Sequence, residues 1–319
     1  MGGFVRTLTG DVAPSELGPT LVHEHLNVDW GEMLGRPNVF DVDRAEMADR
    51  MVATMESLAA VGIGAMTECS PYGCGRYVDL YAEVAARSPV RIIGSTGFFH
   101  ESWCPMHPIA VALDLDALTD FMTREITQGM GGTLVRAGLI KAATGEGAIS
   151  PNEEKVLRAA ARARLATGCP IITHLTSSMS MEQLDIFESE GLEPGDVLLS
   201  HVGFEDDPVA EVDRLLDRGA NISFDRIGMA IFFDDDHWIR LIEHVRRRGA
   251  LGQVMLSHDA SVFAHGLEEA SGDDTQDDFT YVSRVFLPRL LAETDVTQDD
   301  IDQMLVTNPQ RVLAFGQEA

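Results

Sequence analysis

Lysine is nearly missing from this chain of 319 residues: Lys141 and Lys155 are the only two, and every other cationic side chain is an arginine. Lysine and arginine together number 24 against 51 aspartates and glutamates, a formal net charge of −27. A field of that sign repels phosphate, which argues against nucleic acid and anionic membrane surfaces as partners. Long apolar runs are missing too. No stretch of about 18 uncharged apolar residues occurs, so no membrane span is predicted. The opening MGGFVRTLTGDVAP has no basic segment followed by an apolar one, and no secretory leader is expected. Cysteine is scarce, and Cys69, Cys74, Cys104 and Cys169 form neither C-x2-C pairs nor a disulfide framework. They read as reduced thiols of a cytoplasmic protein.

No low-complexity tract or linker divides the sequence. The acidic stretch 268–279 reads as a solvated loop. Short apolar runs alternate with helical patterns throughout. The candidate strands are 20–26, 63–69, 90–97, 135–143, 169–175, 196–202, 220–225 and 253–259. The clearest helical segments span 43–62, 150–168, 207–219 and 234–249. The second of these carries Ser150 as N-cap, Pro151 in the first turn, Glu153 three residues past the cap and a glycine stop at Gly168. Eight buried strands separated by helices predict one (β/α)8 TIM barrel over residues 1–319, with a short N-terminal β-hairpin across its bottom. An open doubly wound sheet would want a glycine-rich phosphate loop after the first strand, where HEHLNVDW stands instead.

Polar residues interrupt the apolar runs at matched places. His23 and His25 end strand one, two apart and therefore on one face, with Glu24 turned the other way. Lys141 lies late in strand four, His174 ends strand five, His201 ends strand six, and Asp259 ends strand eight. The C-terminal ends of barrel strands converge on one mouth, where such enzymes keep their active sites. A single histidine there reads as a hydrogen-bonded core residue; four of them with a lysine and an aspartate read as a metal site. An ammonium in AGLIKAATG is costly unless neutralised or paired. Lys141 is thus a Schiff-base lysine, a carboxylate-paired lysine, or a neutral amine that takes up carbon dioxide as a carbamate, and the histidine ring favours the carbamate. Lys155, in a helix among glutamates, reads as solvated, and His258 as a structural neighbour of Asp259.

GPTLVHEHL, IKAATGEGAISPNEEKVLRAAARA, SHVGFEDD, ISFDRIG, LSHD and NPQRVLAF, in that order, resemble the phosphotriesterase family of the amidohydrolase superfamily. The resemblance implies two divalent metal ions. His23, His25 and Asp259 would hold the more buried ion and His174 and His201 the more exposed one, with carbamylated Lys141 and a hydroxide bridging them. Zinc is the expected ion, with manganese, cobalt or iron as alternatives. The implied activity is hydrolysis of a lactone or related ester, Asp259 accepting the proton. A phosphoester or amide hydrolase using the same centre is the alternative; a scaffold without turnover and a lysine-dependent aldolase are rivals of other classes. Asp225-Arg226-Ile227-Gly228 matches the D-R-x-G of the family's lactonase branch. Arg226 is expected either to contact the substrate or to pair with a carboxylate. Phe99, His100 and Trp103, after strand three, are candidate pocket walls; Phe99 stands where lactonases of this group carry tyrosine. The loop 261–279 after strand eight lacks the basic cluster that a phosphorylated sugar lactone would require. The expected partner is a small-molecule substrate, and the resemblance suggests a homodimer.

Overall fold

A computed structural model of the chain describes residues 3–29, 32, 43–176, 179–265 and 278–316. Most of the loop expected at 268–279, and most of 261–279, therefore lies outside the described residues. A hairpin comes first, β1 (Val5–Thr7) paired antiparallel with β2 (Gly10–Val12). The barrel strands then follow in chain order as neighbours: β3 (Thr20–Asp29), β4 (Ala65–Glu68), β5 (Arg91–Gly97), β6 (Leu139–Thr144), β7 (Ile171–Leu175), β8 (Val197–Leu199), β9 (Asn221–Phe224) and β10 (Val254–Leu256). Every neighbouring pair is parallel. A further strand, β11 (Ser261–His265), continues from β10 and pairs parallel with β3. Beyond Leu256 the two ends of the sheet meet: Asp259 N donates to His23 O at 3.0 Å and His25 N to Ala260 O at 2.8 Å. The expected TIM barrel is the fold, and its hairpin is where the sequence places it.

Helices cover the outside, and short acidic or hydroxyl side chains cap their starts. Asp43 caps α1 (Arg44–Ala60) by accepting from Ala45 N. Ser150 and Glu153 form a reciprocal capping box at the start of the helix Pro151–Thr167, which stops at left-handed Gly168. The helices Pro208–Arg218 and Asp235–Arg248 begin at Asp207 and Asp234 and stop at left-handed glycines. No helix among the described residues is long and apolar enough to cross a membrane. Lys155 departs from the solvated role read for it. It is half-buried, and its ammonium donates to Val111 O and Leu113 O at 3.1 and 2.9 Å, satisfying carbonyls at the end of the short helix Pro108–Ala112.

Two apolar layers hold the barrel. Inside, Val22, Ala65, Ile93, Leu139, Ile172, Leu198 and Met255 meet Val5 and Leu17 in one cluster, so the hairpin side closes the floor and leaves the opposite end open for polar groups. Outside, alternate strand residues pack on the helices. The β3–β4 register slips by one residue between Leu21 and Glu24. Such a bulge re-aims the side chains at and after it, and here it spans His23 and precedes His25.

Strands six and eight are shorter than predicted, ending at Leu199 and Leu256. The reason is conformational. His201 (φ 60) and Asp259 (φ 58) are the non-glycine residues with positive φ among those described, and a left-handed residue cannot continue a strand. At the end of strand three, Gly97 (φ 103) lies so close to strand four that a Cβ would sit 1.8 Å from the Lys141 carbonyl oxygen. Gly97→Ala should therefore cost about 2–4 kcal/mol, combining backbone strain with overpacking. Thermal unfolding measures it, and a melting temperature equal to that of the parent would refute this account.

Candidate metal centre

The six polar residues meet at the mouth, although His23 and His25 do not end their strand, which runs on to Asp29, and Lys141 lies mid-strand in β6. His23 Nε2 lies 2.8 Å from Lys141 Nζ and 3.6 Å from Asp259 Oδ1. His25 Nε2 is 3.1 Å from the same Asp259 oxygen, and His201 Nε2 is 3.8 Å from Oδ2. His174 joins through Nδ1, 2.9 Å from His201 Nε2. Among the described residues, His23, His201 and Asp259 offer one ligand atom each, all within 4.8 Å of one another. His23, Lys141 and His201 are at most 2% exposed.

The proton positions follow from what stands behind each ring. His23 Nδ1 and His201 Nδ1 face the two oxygens of Asp225 at 3.0 and 2.8 Å. Both nitrogens must carry hydrogen, because a carboxylate only accepts. Ser70 gives its own proton to Asn27 O at 2.7 Å, so at 2.9 Å it accepts from His25 Nδ1. Three Nε2 atoms are thereby turned toward the carboxylate of Asp259 and toward Lys141. The buried, uncharged Nε2 atoms of His23 and His201 face Asp259 oxygens at 3.6 and 3.8 Å with nothing to donate; a cation between such groups resolves the contact. Imidazole and carboxylate donors with the backing groups of a metal site fit divalent ions of the zinc and manganese type.

Burial sets the charges. It lowers the His23 imidazole to about 3 and also lowers His174 and His201, leaving ligand nitrogens uncharged. It lowers Lys141 as well. Among the described residues no carboxylate lies within ion-pairing distance of that amine, which removes the paired-lysine alternative. Burial would raise the Asp259 carboxyl, but the polar groups of His201, His23, His25 and Arg226 around it hold it below the ordinary carboxylate range.

Glu24 and Asp225 were not singled out as site residues, and they organise the centre. Glu24 accepts from His258 N, His258 Nδ1, Ser257 Oγ and Ala260 N, all at 2.8–2.9 Å, and so holds the chain on both sides of Asp259. His258 is structural, as read, its Nε2 accepting from Val282 N. Asp225 is an acid closing the buried run ISFD, the same mark that identifies Asp259.

Around the mouth, Arg226 Nε donates to Asp259 Oδ2 at 3.1 Å, one of the two contacts expected of it. Its guanidinium lies over Phe204 and Phe232 at 5.1 and 4.7 Å. Phe99 meets the His174 ring edge-on at 4.9 Å, and Trp103 lies 5.8 Å from it with 42% of its surface exposed. His100 differs from the pocket wall expected of it. It is buried, its Nδ1 accepts from Ser102 N, and its Nε2 approaches Thr176 Oγ1, which in turn contacts His174.

The family model of the phosphotriesterase family matches residues 3–313. The chain belongs to the phosphotriesterase family. It is 32% identical to the phosphotriesterase homology protein of Escherichia coli strain K12, over 92% of this chain and 97% of that one. It is 29% identical to a phospho-furanose lactonase of Mycoplasmopsis agalactiae, over 98% and 92%. A solved structure concerned with organophosphate hydrolysis activity engineered from a weak promiscuous lactonase template superposes with a TM-score of 0.88 at 30% identity, covering 98% of this chain and all of that one. Family and donor set together make the chain a metal-dependent hydrolase.

The buried rings predict an acid-sensitive protein once metal is removed. His23 and His100, both lowered to about 3, and His174 and His201 stay neutral when folded, while the unfolded chain takes up protons near 6.5. Their contribution is complete above that pH and is lost as pH falls toward 3. Glu68 and Glu211, raised by burial to about 6 and about 7 from 4.5, oppose this in the window between those values. Four imidazoles outweigh two carboxylates. The chelator-treated protein should melt at clearly lower temperature at pH 5 than at pH 7, and a flat profile would contradict this.

Proposed function

We propose that the protein hydrolyses a lactone or a related carboxylic ester at a binuclear metal centre. The observation that carries the reading is the set of inward-facing Nε2 atoms of His23, His25 and His201, each fixed by a hydrogen-bond acceptor behind its ring. His23, His25 and Asp259 would hold one divalent cation and His174 and His201 a second. Lys141 would bridge them as a carbamate, its uncharged amine adding carbon dioxide and releasing a proton. Zinc is the ion expected. When bound, such a pair supplies a water acidic enough to attack near neutral pH and polarises the bond under attack.

The chain's own groups do the rest. Asp259 has one oxygen toward His25 and the other toward Arg226, and it accepts the proton that attack releases. Arg226 meets Asp259 through Nε, leaving its two terminal amino groups to receive the substrate carbonyl and then the carboxylate product. Phe99 and Trp103 exclude water beside His174. The lactonase name of one relative and the lactonase origin of the structural neighbour support the ester over a phosphotriester. The engineered organophosphate activity of that neighbour keeps phosphotriesters as the second reading.

Purified protein is expected to contain about two divalent ions per chain, by elemental analysis, and to lose hydrolysis on chelation. Lys141→Ala should lose both metal and activity, with partial rescue by short carboxylic acids; full activity in that variant would remove the bridging role. Arg226→Ala should depress kcat/KM for lactones at least tenfold more than for an activated phosphotriester, about 1.4 kcal/mol of selective transition-state binding. Equal losses on the two substrates would end the preference for lactones.

A further inference from the structure

We propose that Asp225 is a positioning residue that couples the two metal sites, so that occupancy of one prepares the other. The inference rests on the binuclear reading above. Asp225 is fully buried, and its two oxygens serve different ions' ligands: Oδ2 takes His23 Nδ1 at 3.0 Å and Oδ1 takes His201 Nδ1 at 2.8 Å. The same carboxylate accepts from His201 N at 3.0 and 3.2 Å and from Ser223 Oγ at 2.5 Å. The left-handed backbone of His201 accompanies this arrangement, in which the amide and the ring of one residue address one carboxylate.

Ordering is therefore shared. An ion drawn to His23 fixes the ring, and through Oδ2 it fixes the plane of the carboxylate. The other oxygen is then already set for the His201 ring. The second ion meets a ligand whose freedom has been removed, which is positive coupling without displacement of either site. An asparagine could not do this. Its single carbonyl oxygen can receive one ring N–H, while its amide group would face the other ring's Nδ1 as a donor. That ring would have to move its proton to Nε2, the atom that binds metal.

The test is a titration of the metal-free full-length protein with Mn(II) in bicarbonate buffer, followed by electron paramagnetic resonance. At one Mn(II) per chain the parent should show mainly spin-coupled pairs alongside empty protein. Asp225→Asn should show mainly isolated ions, its second dissociation constant rising relative to the first on the order of 10–100-fold. A purely architectural aspartate would weaken both steps together and leave their ratio unchanged, which would overturn the proposal. So would isolated ions dominating the parent at one equivalent. Should the variant fail to fold, nitrogen-15 spectra of histidine-labelled, metal-free parent protein decide: His23 and His201 are expected as Nδ1–H tautomers, and an Nε2–H form of either refutes the coupling. Parent protein that binds no Mn(II) would instead sink the metal-centre reading itself.

Discussion

A bare imidazole nitrogen stays aimed at a cation only while the ring's proton is kept on the far side. In a dry barrel mouth that means supplying each ring with its own acceptor, also buried, and balancing that acceptor in turn. The chain solves this with few groups. Asp225 backs two rings, Ser70 backs a third, and Ser70 passes its own proton to a main-chain carbonyl. Four donor groups converge on Asp225, which is what lets a carboxylate stay charged without water around it. The rest of the molecule reads as a frame that keeps these partners in register.

Other buried carboxylates do similar work for the loops. Glu153, in the first turn of its helix, accepts from Glu101 N and Gly145 N, joining the loops after strands three and four. Glu211, in the first turn of the helix after strand six, accepts from Gly203 N and Glu205 N, steadying the loop that carries His201. Glu24 does the same for the segment around Asp259. Each such carboxylate leaves water in exchange for main-chain N–H groups that would otherwise be orphaned at a strand end. The barrel mouth is thus built from short polar clamps, whereas its floor is held by apolar contact.

Much of this is legible in the sequence because burial makes polar residues conspicuous. His174 in CPIITHL and Lys141 in AGLIKAATG are the wrong letters for an apolar strand, and the β/α alternation sends them to one end. Helix limits are legible for a local reason: Asp43, Ser150, Asp207 and Asp234 all cap as their positions suggest. What is hidden depends on groups far apart in the chain. The limits of strands six and eight depend on left-handed backbone at His201 and Asp259, which residue type does not announce. The double role of Asp225 depends on rings contributed by strands one and six. His100 carries the same letter as the four candidate ligands, yet its partners are Ser102 and Thr176, a difference that only the fold of its loop decides.

The scarcity of lysine has a practical side. One of the two side-chain amines is sealed beneath the mouth, and the other is held by two carbonyl groups at a helix end. Reagents that seek primary amines, such as activated-ester dyes, aldehyde fixatives or amine-coupled sensor surfaces, would find few side-chain targets here, the half-buried Lys155 being the more accessible of the two. Carbodiimide coupling through the abundant surface acids is the natural route for attaching it to a support.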